Sequence, residues 1–329
     1  MEPEVLTEYL RSRLPARPDL QVTGAKRVVG GMSRETWFVD FEWNGGTESE
    51  SVTFRIDHEK GAVVPVPLEF EFRVHQALHG TQVPVAEPYW FEHDKTLIGQ
   101  GPFYVRELVE GTASPKYLYA EGQEALRESV GLQFAELLGK VHTLDWNAAG
   151  VGDFMEVPEL GPECALLELR RWQRNLAEHQ SEPLPVAAQL FAYLEREAPT
   201  DVERVALVWG DVGIGNFIFR NDNIVALTDW EQSHLGDPMK DWASALWRGV
   251  DNLLPREKLF EEYERTSGIP VNLASIDYYL TFIDAEYVCT SHPILDRFTN
   301  TEVPDVTFAR LGMGIPWYCM DHGMTMIGL

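Results

Sequence analysis

The stretch from Val205 to Glu231 constrains this chain more than any other. An apolar run, Val205-Ala206-Leu207-Val208, leads into Trp209-Gly210-Asp211. Val212-Gly213-Ile214-Gly215-Asn216 follows, and then a second short run, Phe217-Ile218-Phe219. Asn221-Asp222-Asn223 carries turn residues, and Ile224-Val225-Ala226-Leu227 forms a third run ending at Thr228-Asp229-Trp230-Glu231. Short apolar runs punctuated by turn residues read as strands. The spacing predicts three strands, with Asp211 and Asn216 on a Gly-bearing loop and Asp229 just past a strand end. Turn residues would scatter, whereas three polar groups at the ends of adjacent strands make a site.

An Asp, an Asn five residues later and a second Asp behind an apolar run form the set that phosphoryl transfer uses. In this reading Asp211 accepts the proton of an attacking hydroxyl. Asn216 and Asp229 hold the magnesium that bridges the nucleotide phosphates. Taken singly, an Asp-x-x-x-x-Asn is common, because Asp and Asn fill turns and caps readily. The strand context selects the chemical reading.

The rest of the chain divides by character. Residues 4 to 14 place Val5, Leu6, Tyr9, Leu10 and Leu14 at helical spacing. Strands are expected at 26–29, 37–41, 51–56 and 103–105, with Asn44-Gly45-Gly46 as a hairpin turn and a helix at 68–78. Beyond Gly111 helices dominate: 123–144, 163–178, 185–197, 239–250, 256–266 and 273–290. The expected division is residues 1–107, a sheet-rich nucleotide-binding lobe, and 108–329, a mainly helical catalytic and substrate-binding lobe. The fold class expected is α+β.

The first part carries what a nucleotide needs. Gly30-Gly31-Met32-Ser33 lies between two strands, where glycines let backbone N–H groups approach phosphate oxygens. By itself a Gly-Gly at such a place is more often a plain hairpin. Arg55 ends a strand where a cation reaches the phosphates, and Glu71 in the next helix is its expected partner, as in kinases. Locally the two also read as an exposed sheet Arg and a solvated helix Glu. Residues 103–108, including Arg106 and Leu108, are either the connection whose backbone reads the adenine or a simple strand.

Composition excludes several classes. The chain has 329 residues, 44% of them hydrophobic, which is globular rather than disordered. A formal net charge of −25 argues against a nucleic-acid partner, which needs a basic face. Cys164, Cys289 and Cys319 form no C-x-x-C pair, so free thiols in a reducing compartment are expected. The acidic N-terminus lacks the apolar core of a signal peptide, and no run approaches a membrane span. The expectation is a cytoplasmic protein, monomeric or homodimeric, with no membrane partner.

The stretch from Trp209 to Asp241 resembles the aminoglycoside phosphotransferase family, relatives of the protein kinases. It contains Asp211, Asn216, Asp229-Trp230-Glu231, His234-Leu235-Gly236-Asp237-Pro238 and Asp241-Trp242-Ala243. Gly30-Gly31-Met32-Ser33, Arg55, Glu71 and Leu137 to His142 follow the same family order. The resemblance covers roughly residues 20–320. It implies a two-lobed protein-kinase-like fold with ATP or GTP and Mg2+ in the cleft and a small hydroxylated acceptor. It implies that Asp211 is the base, that Asn216 and Asp229 are metal ligands, that Asp237 and Asp241 brace the loop and that His142 is structural. Three departures stand out. Trp209 replaces the usual His, Arg55 stands where many relatives have Lys, and Val212 to Gly215 offers no cation two residues after the base. Arg55, Arg34 or magnesium would then have to offset charge on the transferring group.

For the acceptor, Glu261, Glu262, Glu264, Asp277, Asp284 and Glu286 suit an amine-bearing molecule, or are a wet face. Tyr278, Tyr279, Phe282, Tyr287, Trp317 and Tyr318 suit an aromatic or lipid-like alcohol, or are core. A hydroxyacyl-CoA kinase and a catalytically silent pseudokinase or nucleotide-binding protein are the alternatives.

Overall fold

The computed structural model describes residues 1–28, 34–57, 66–180, 183–299 and 309–329. The chain forms two compact units. The first comprises Met1–His79 and Val85–Glu110, and the second Gly80–Pro84 and Gly111–Leu329.

In the first unit, helix α1 (Pro3–Arg13) precedes strands β1 (Gln21–Arg27), β2 (Arg34–Trp43) and β3 (Glu48–Asp57). Helix α2 (Leu68–Leu78) and strands β4 (Pro88–Glu92) and β5 (Phe103–Glu107) follow. The sheet order is β1-β2-β3-β5-β4, with every neighbouring pair antiparallel. The alternation of strand side chains divides this sheet into two chemistries. Phe54, Ile56, Phe103 and Val105 join Leu6, Tyr9 and Leu10 of α1 in an apolar core. Arg55, Tyr104 and Arg106, one residue out of step, point to the other face. There Tyr104 packs with Phe72 of α2, and Arg55 and Tyr104 both bond Glu71. β4 was not among the expected strands.

The second unit begins with helices α3 (Pro115–Leu118), α4 (Glu124–His142), α5 (Glu163–His179) and α6 (Pro185–Arg196). Four short strands follow: β6 (Ala206–Val208), β7 (Phe217–Arg220), β8 (Asn223–Leu227) and β9 (His234–Gly236). β6 pairs with β9 and β7 with β8, both antiparallel. Asn221 and Asp222 join β7 to β8 with φ of 47° and 65°, as a two-residue hairpin of this hand requires. Helices α7 (Met239–Trp247), α8 (Arg256–Ser267), α9 (Leu273–Thr299) and α10 (Ile315–Met326) complete the unit. Residues 80–84 belong here because Pro84 O accepts from Leu227 N of β8 (2.8 Å) and Gln82 donates to Lys140 O (2.9 Å). β9 and α10 were not foreseen, and α9 runs nine residues past its expected end at 290. All three cysteines are free and buried. Among the described residues no helix is long and apolar enough to cross a membrane.

Candidate active site

The site in the second unit is built on the loop after β6, and α7 holds that loop. Asp241, Ser244 and Arg248 recur at helical spacings of three and four, so one stripe of α7 and its C-terminal cap faces a single direction. The Asp241 carboxylate accepts from Trp209 N (2.7 Å) and Gly210 N (2.8 Å). The Ser244 hydroxyl donates to Gly210 O (3.1 Å). Behind Asp241, His142 Nε2 lies 3.0 Å from the carboxylate and Nδ1 lies 2.8 Å from the Tyr263 hydroxyl. Nε2 can bond a carboxylate only as a donor, which leaves Nδ1 to the Tyr263 hydroxyl. Gly210 has φ of +91°, and a Cβ there would meet Gln232 O at 2.4 Å. The loop is thus fixed by backbone bonds at the two residues before Asp211.

Trp209 has a structural purpose that its unusual identity obscured. Its indole donates to Thr228 O (2.8 Å), and its ring stacks on Trp230 at 5.5 Å. It therefore ties the Asp211 loop to the residues flanking Asp229.

Asn216 supplies the next link. Its amide nitrogen donates to Asp211 O and to Asp211 Oδ2, both at 2.7 Å. That orientation leaves the amide oxygen as the acceptor end. Thr228 N donates to Asn216 O (2.8 Å), so Asp229 follows directly from the same junction. Asp229 has φ of 58°, a left-handed conformation uncommon outside glycine and costly unless its surroundings impose it. Strain of this kind concentrates at functional sites. The Asp211 and Arg248 side chains, partly exposed, form an ion pair through Oδ1 and Nη2. Burial opposes the charge on Arg248, but Asp211, Tyr287 and Asp229 outweigh it and hold the guanidinium protonated.

The donor set suits magnesium. Asn216 and Asp229 offer hard oxygen ligands, and Mg2+ commonly takes one or two protein carboxylates with nucleotide phosphates and water completing the shell. Among the described residues no cluster of three or more His, Cys, Asp or Glu is gathered as a metal site.

In the first unit, Arg55 and Glu71 are brought together. Arg55 Nη2 lies 3.1 Å from Glu71 Oε1, and Nη1 donates to Thr36 Oγ1 (2.9 Å). Tyr104, directly across the ladder from Arg55, donates to Glu71 Oε1 (2.9 Å). Arg34 Nη1 also reaches Glu71 (3.1 Å), Nε reaches Asp57 (3.1 Å), and Nη2 donates to Val66 O (2.7 Å). Burial alone would push the Glu71 carboxyl up, but Arg55 and Arg34 hold it well below the usual range. Neither residue of the Arg55–Glu71 pair is the exposed side chain that local sequence allowed. Arg106 is buried on the same face of β5, and Leu108 lies half-buried just beyond that strand. Gly30, Gly31 and Ser33 lie outside the described residues.

The model of the phosphotransferase enzyme family matches residues 24–273. This chain belongs to the phosphotransferase enzyme family. Its fold is that of the kinase-like phosphotransferases. A provisionally named aminoglycoside phosphotransferase from Ralstonia eutropha superposes with a TM-score of 0.71 at 22% identity over 97% of both chains. Choline kinase LicA from Streptococcus pneumoniae superposes with a TM-score of 0.64 at 14% identity, over 97% of this chain and 99% of that one. Among curated relatives, acyl-CoA dehydrogenase family member 11 of Rattus norvegicus is 25% identical over 284 residues, 83% of this chain and 34% of that protein. The Gallus gallus protein of the same name is 27% identical over 301 residues, 84% of this chain and 37% of its own length. The chain therefore spans about a third of the length of these relatives.

Arg248 was missed although the Asp241, Ser244, Arg248 stripe was visible in α7. Arg34 was one alternative, beside Arg55 and magnesium, for offsetting charge on the transferring group; its side chain is engaged with Asp57, Glu71 and Val66 O. Of the acids considered for an amine, Asp284 and Glu286 are buried against His322 and Lys240. Tyr278, Tyr279 and Phe282 are core, while Trp317 and Tyr318 are exposed.

Proposed function

We propose that this chain transfers the γ-phosphoryl group of ATP or GTP to a hydroxyl of a small molecule. The observation that carries the reading is the junction of Asp211, Asn216 and Asp229. One amide bonds the Asp211 carboxylate, and one backbone bond ties Thr228, the residue before Asp229, to Asn216. The acceptor oxygen bonds the γ-phosphorus as the bridging bond to the β-phosphate breaks, and the nucleoside diphosphate leaves. The acceptor's proton passes to Asp211. Magnesium, held by Asn216 and Asp229, supplies charge neutralisation when bound. Arg55, kept oriented by Glu71, is the cation proposed for the nucleotide phosphates in the first unit, with Gly30, Gly31 and Ser33 as backbone donors. Residues Arg106 and Leu108 are proposed to line the base-reading connection.

The test is magnesium-dependent production of ADP or GDP. Asp211→Asn keeps the shape and removes the base, so turnover should fall by about 10²- to 10⁴-fold with unfolding unchanged. Asp229→Ala should lose magnesium-dependent nucleotide binding in calorimetry. Turnover within tenfold of wild type in Asp211→Asn would remove the base assignment, by the same measure. A folded wild type that binds nucleotide but releases no ADP or GDP would favour the silent nucleotide-binding alternative, and one that binds neither nucleotide would favour a pseudokinase that shares the fold alone.

A second reading is favoured by one observation. The second unit holds a cavity of about 610 Å³ whose walls include Leu246, Phe260, Ile276 and Leu280, with Arg256 and Arg310 among them. Apolar walls with two guanidiniums against the single carboxylate of Asp277 suit an acceptor that is both acyl and anionic. Relatives that carry an acyl-CoA dehydrogenase name point the same way. A panel of hydroxyacyl-CoA thioesters, free hydroxy acids, choline and aminoglycosides separates these acceptors.

A further inference from the structure

Two features of the second unit meet at one point. The first is Gly213, two residues after Asp211, where a kinase-like loop can carry a cation. Its φ lies outside the left-handed region, so the backbone does not require glycine. Space requires it: a Cβ at 213 would stand 2.2 Å from Arg248 Cδ, 3.2 Å from Cγ and 3.1 Å from Cβ. The second feature is Arg248. Its backbone N–H donates to Ser244 O (3.1 Å), closing the end of α7. Its neighbour Trp247 stacks on Tyr287 at 4.5 Å, which fixes the direction in which the helix end presents its side chains. The Arg248 stem crosses the gap above Gly213, and its guanidinium reaches the Asp211 carboxylate.

We infer that Arg248 is the cation of the phosphoryl-transfer site, delivered from the end of α7 through the space left by Gly213 in place of a basic side chain on the loop itself. The inference rests on the phosphotransferase reading of Asp211 given above. In the structure the guanidinium is paired with Asp211. A γ-phosphoryl group carries more charge than one carboxylate and presents several oxygens to a forked donor. Arg248 therefore exchanges part of its contact with Asp211 for the transferring group. That exchange frees the base for the acceptor's proton and sets positive charge where negative charge builds in the transition state. Arg34 and Arg55, the sequence candidates for this role, are engaged with Glu71 in the first unit.

The test uses the full chain, with Mg2+ and the preferred nucleotide, and reads ADP or GDP release with water or the best acceptor of the panel. Arg248→Ala should lower kcat by about 100-fold while the nucleotide KM moves less than about threefold, the pattern of a contact made in the transition state. The double variant Arg248→Ala with Gly213→Arg should recover about tenfold or more of that loss. Removing the Arg248 stem leaves only the 3.1 Å approach to Cβ, which a small shift relieves, so the loop can then carry the cation itself. Thermal unfolding of each variant checks the fold; Arg248→Gln replaces Arg248→Ala as the single variant if that unfolds early, and its kcat then decides. Turnover by Arg248→Ala within threefold of wild type overturns the inference alone and leaves the phosphotransferase reading intact. So does a loss that Gly213→Arg leaves unrecovered. A folded wild type without nucleotide turnover overturns both.

Discussion

At the scale of single residues, the loop before Asp211 is governed by one position that tolerates no side chain. Gly210 combines φ of +91° with a backbone oxygen, Gln232 O, 2.4 Å from where a Cβ would sit. Gly210→Ala must both adopt a disfavoured backbone and displace the chain at Gln232. A loss of about 2–4 kcal/mol is expected in urea unfolding, from strain and overpacking together. The bonds from Gly210 N to Asp241 and from Ser244 to Gly210 O would be disturbed with it, so turnover should fall too. A Gly210→Ala variant as stable as wild type would show that the loop relaxes without cost. The glycine's presence was legible, but its reason was not. Gln232 lies 22 residues further on and beyond two strands, and no local pattern announces a close approach across that distance. Trp209 is the same lesson in reverse. It read as a departure, yet its indole bond to Thr228 O makes it a tie between the two acidic segments. That Asp211, Asn216 and the segment before Asp229 come together was readable because one hairpin sets their spacing. Arg248 was not, because its partner is 37 residues away.

At the scale of elements, α7 carries two separate networks on two faces. One stripe holds the loop through Asp241, Ser244 and Arg248. The other presents Lys240, buried, to Glu286 of α9 at 3.0 Å. Glu168 of α5, also buried and paired with Arg171 at 3.2 Å, contributes to the same field. Burial opposes the charge on Lys240, but Glu286 and Glu168 keep it protonated. Lys240→Met would leave Glu286 buried without its cation. Removing one partner of a buried pair costs about 3–5 kcal/mol, whereas replacing both with apolar groups is often near neutral. Denaturant titration should therefore find Lys240→Met strongly destabilised and the Lys240→Met, Glu286→Leu double variant close to wild type. Equal losses in the two would mean that packing against Phe282, and not the charge pair, is what Lys240 contributes. The helix was evident from sequence, since its apolar positions recur at helical spacing. Lys240 was not singled out in the sequence, because nothing local reveals that Glu286 of α9 and Glu168 of α5 lie beside it.

At the scale of the whole molecule, charge sets how stability follows pH. Burial raises Asp237 to about 6, against a bond from Met239 N, and raises Glu286 to about 7, against the attraction of Lys240. A carboxyl whose folded pKa exceeds its unfolded value binds its proton more tightly in the folded state. Below about pH 4 both states hold the proton and the difference vanishes. As pH climbs from there through 6 and 7, the unfolded chain ionises first, and folding is progressively disfavoured. Above pH 7 the penalty is complete, about 2–3 kcal/mol for Asp237 alone at most. Glu71 acts with the opposite sign, because Arg55 and Arg34 hold it low against its burial. Its contribution is present above its unfolded pKa and is lost only in acid. A formal charge of −25 at pH 7 adds self-repulsion on the alkaline side. The chain should therefore be most stable near about pH 5 and unfold at a lower temperature at pH 8. Added salt recovers the part due to repulsion, which is screened, but little of the part due to burial. Asp237→Asn separates the two. It retains an acceptor for Met239 N, removes the ionisation and should raise the pH 8 unfolding temperature while leaving that at pH 4 nearly unchanged. Calorimetric melts of both proteins from pH 4 to 8, at low and high salt, decide the matter. Parallel curves for wild type and Asp237→Asn would mean that the decline at alkaline pH comes from net charge, not from a carboxylate buried at the start of α7.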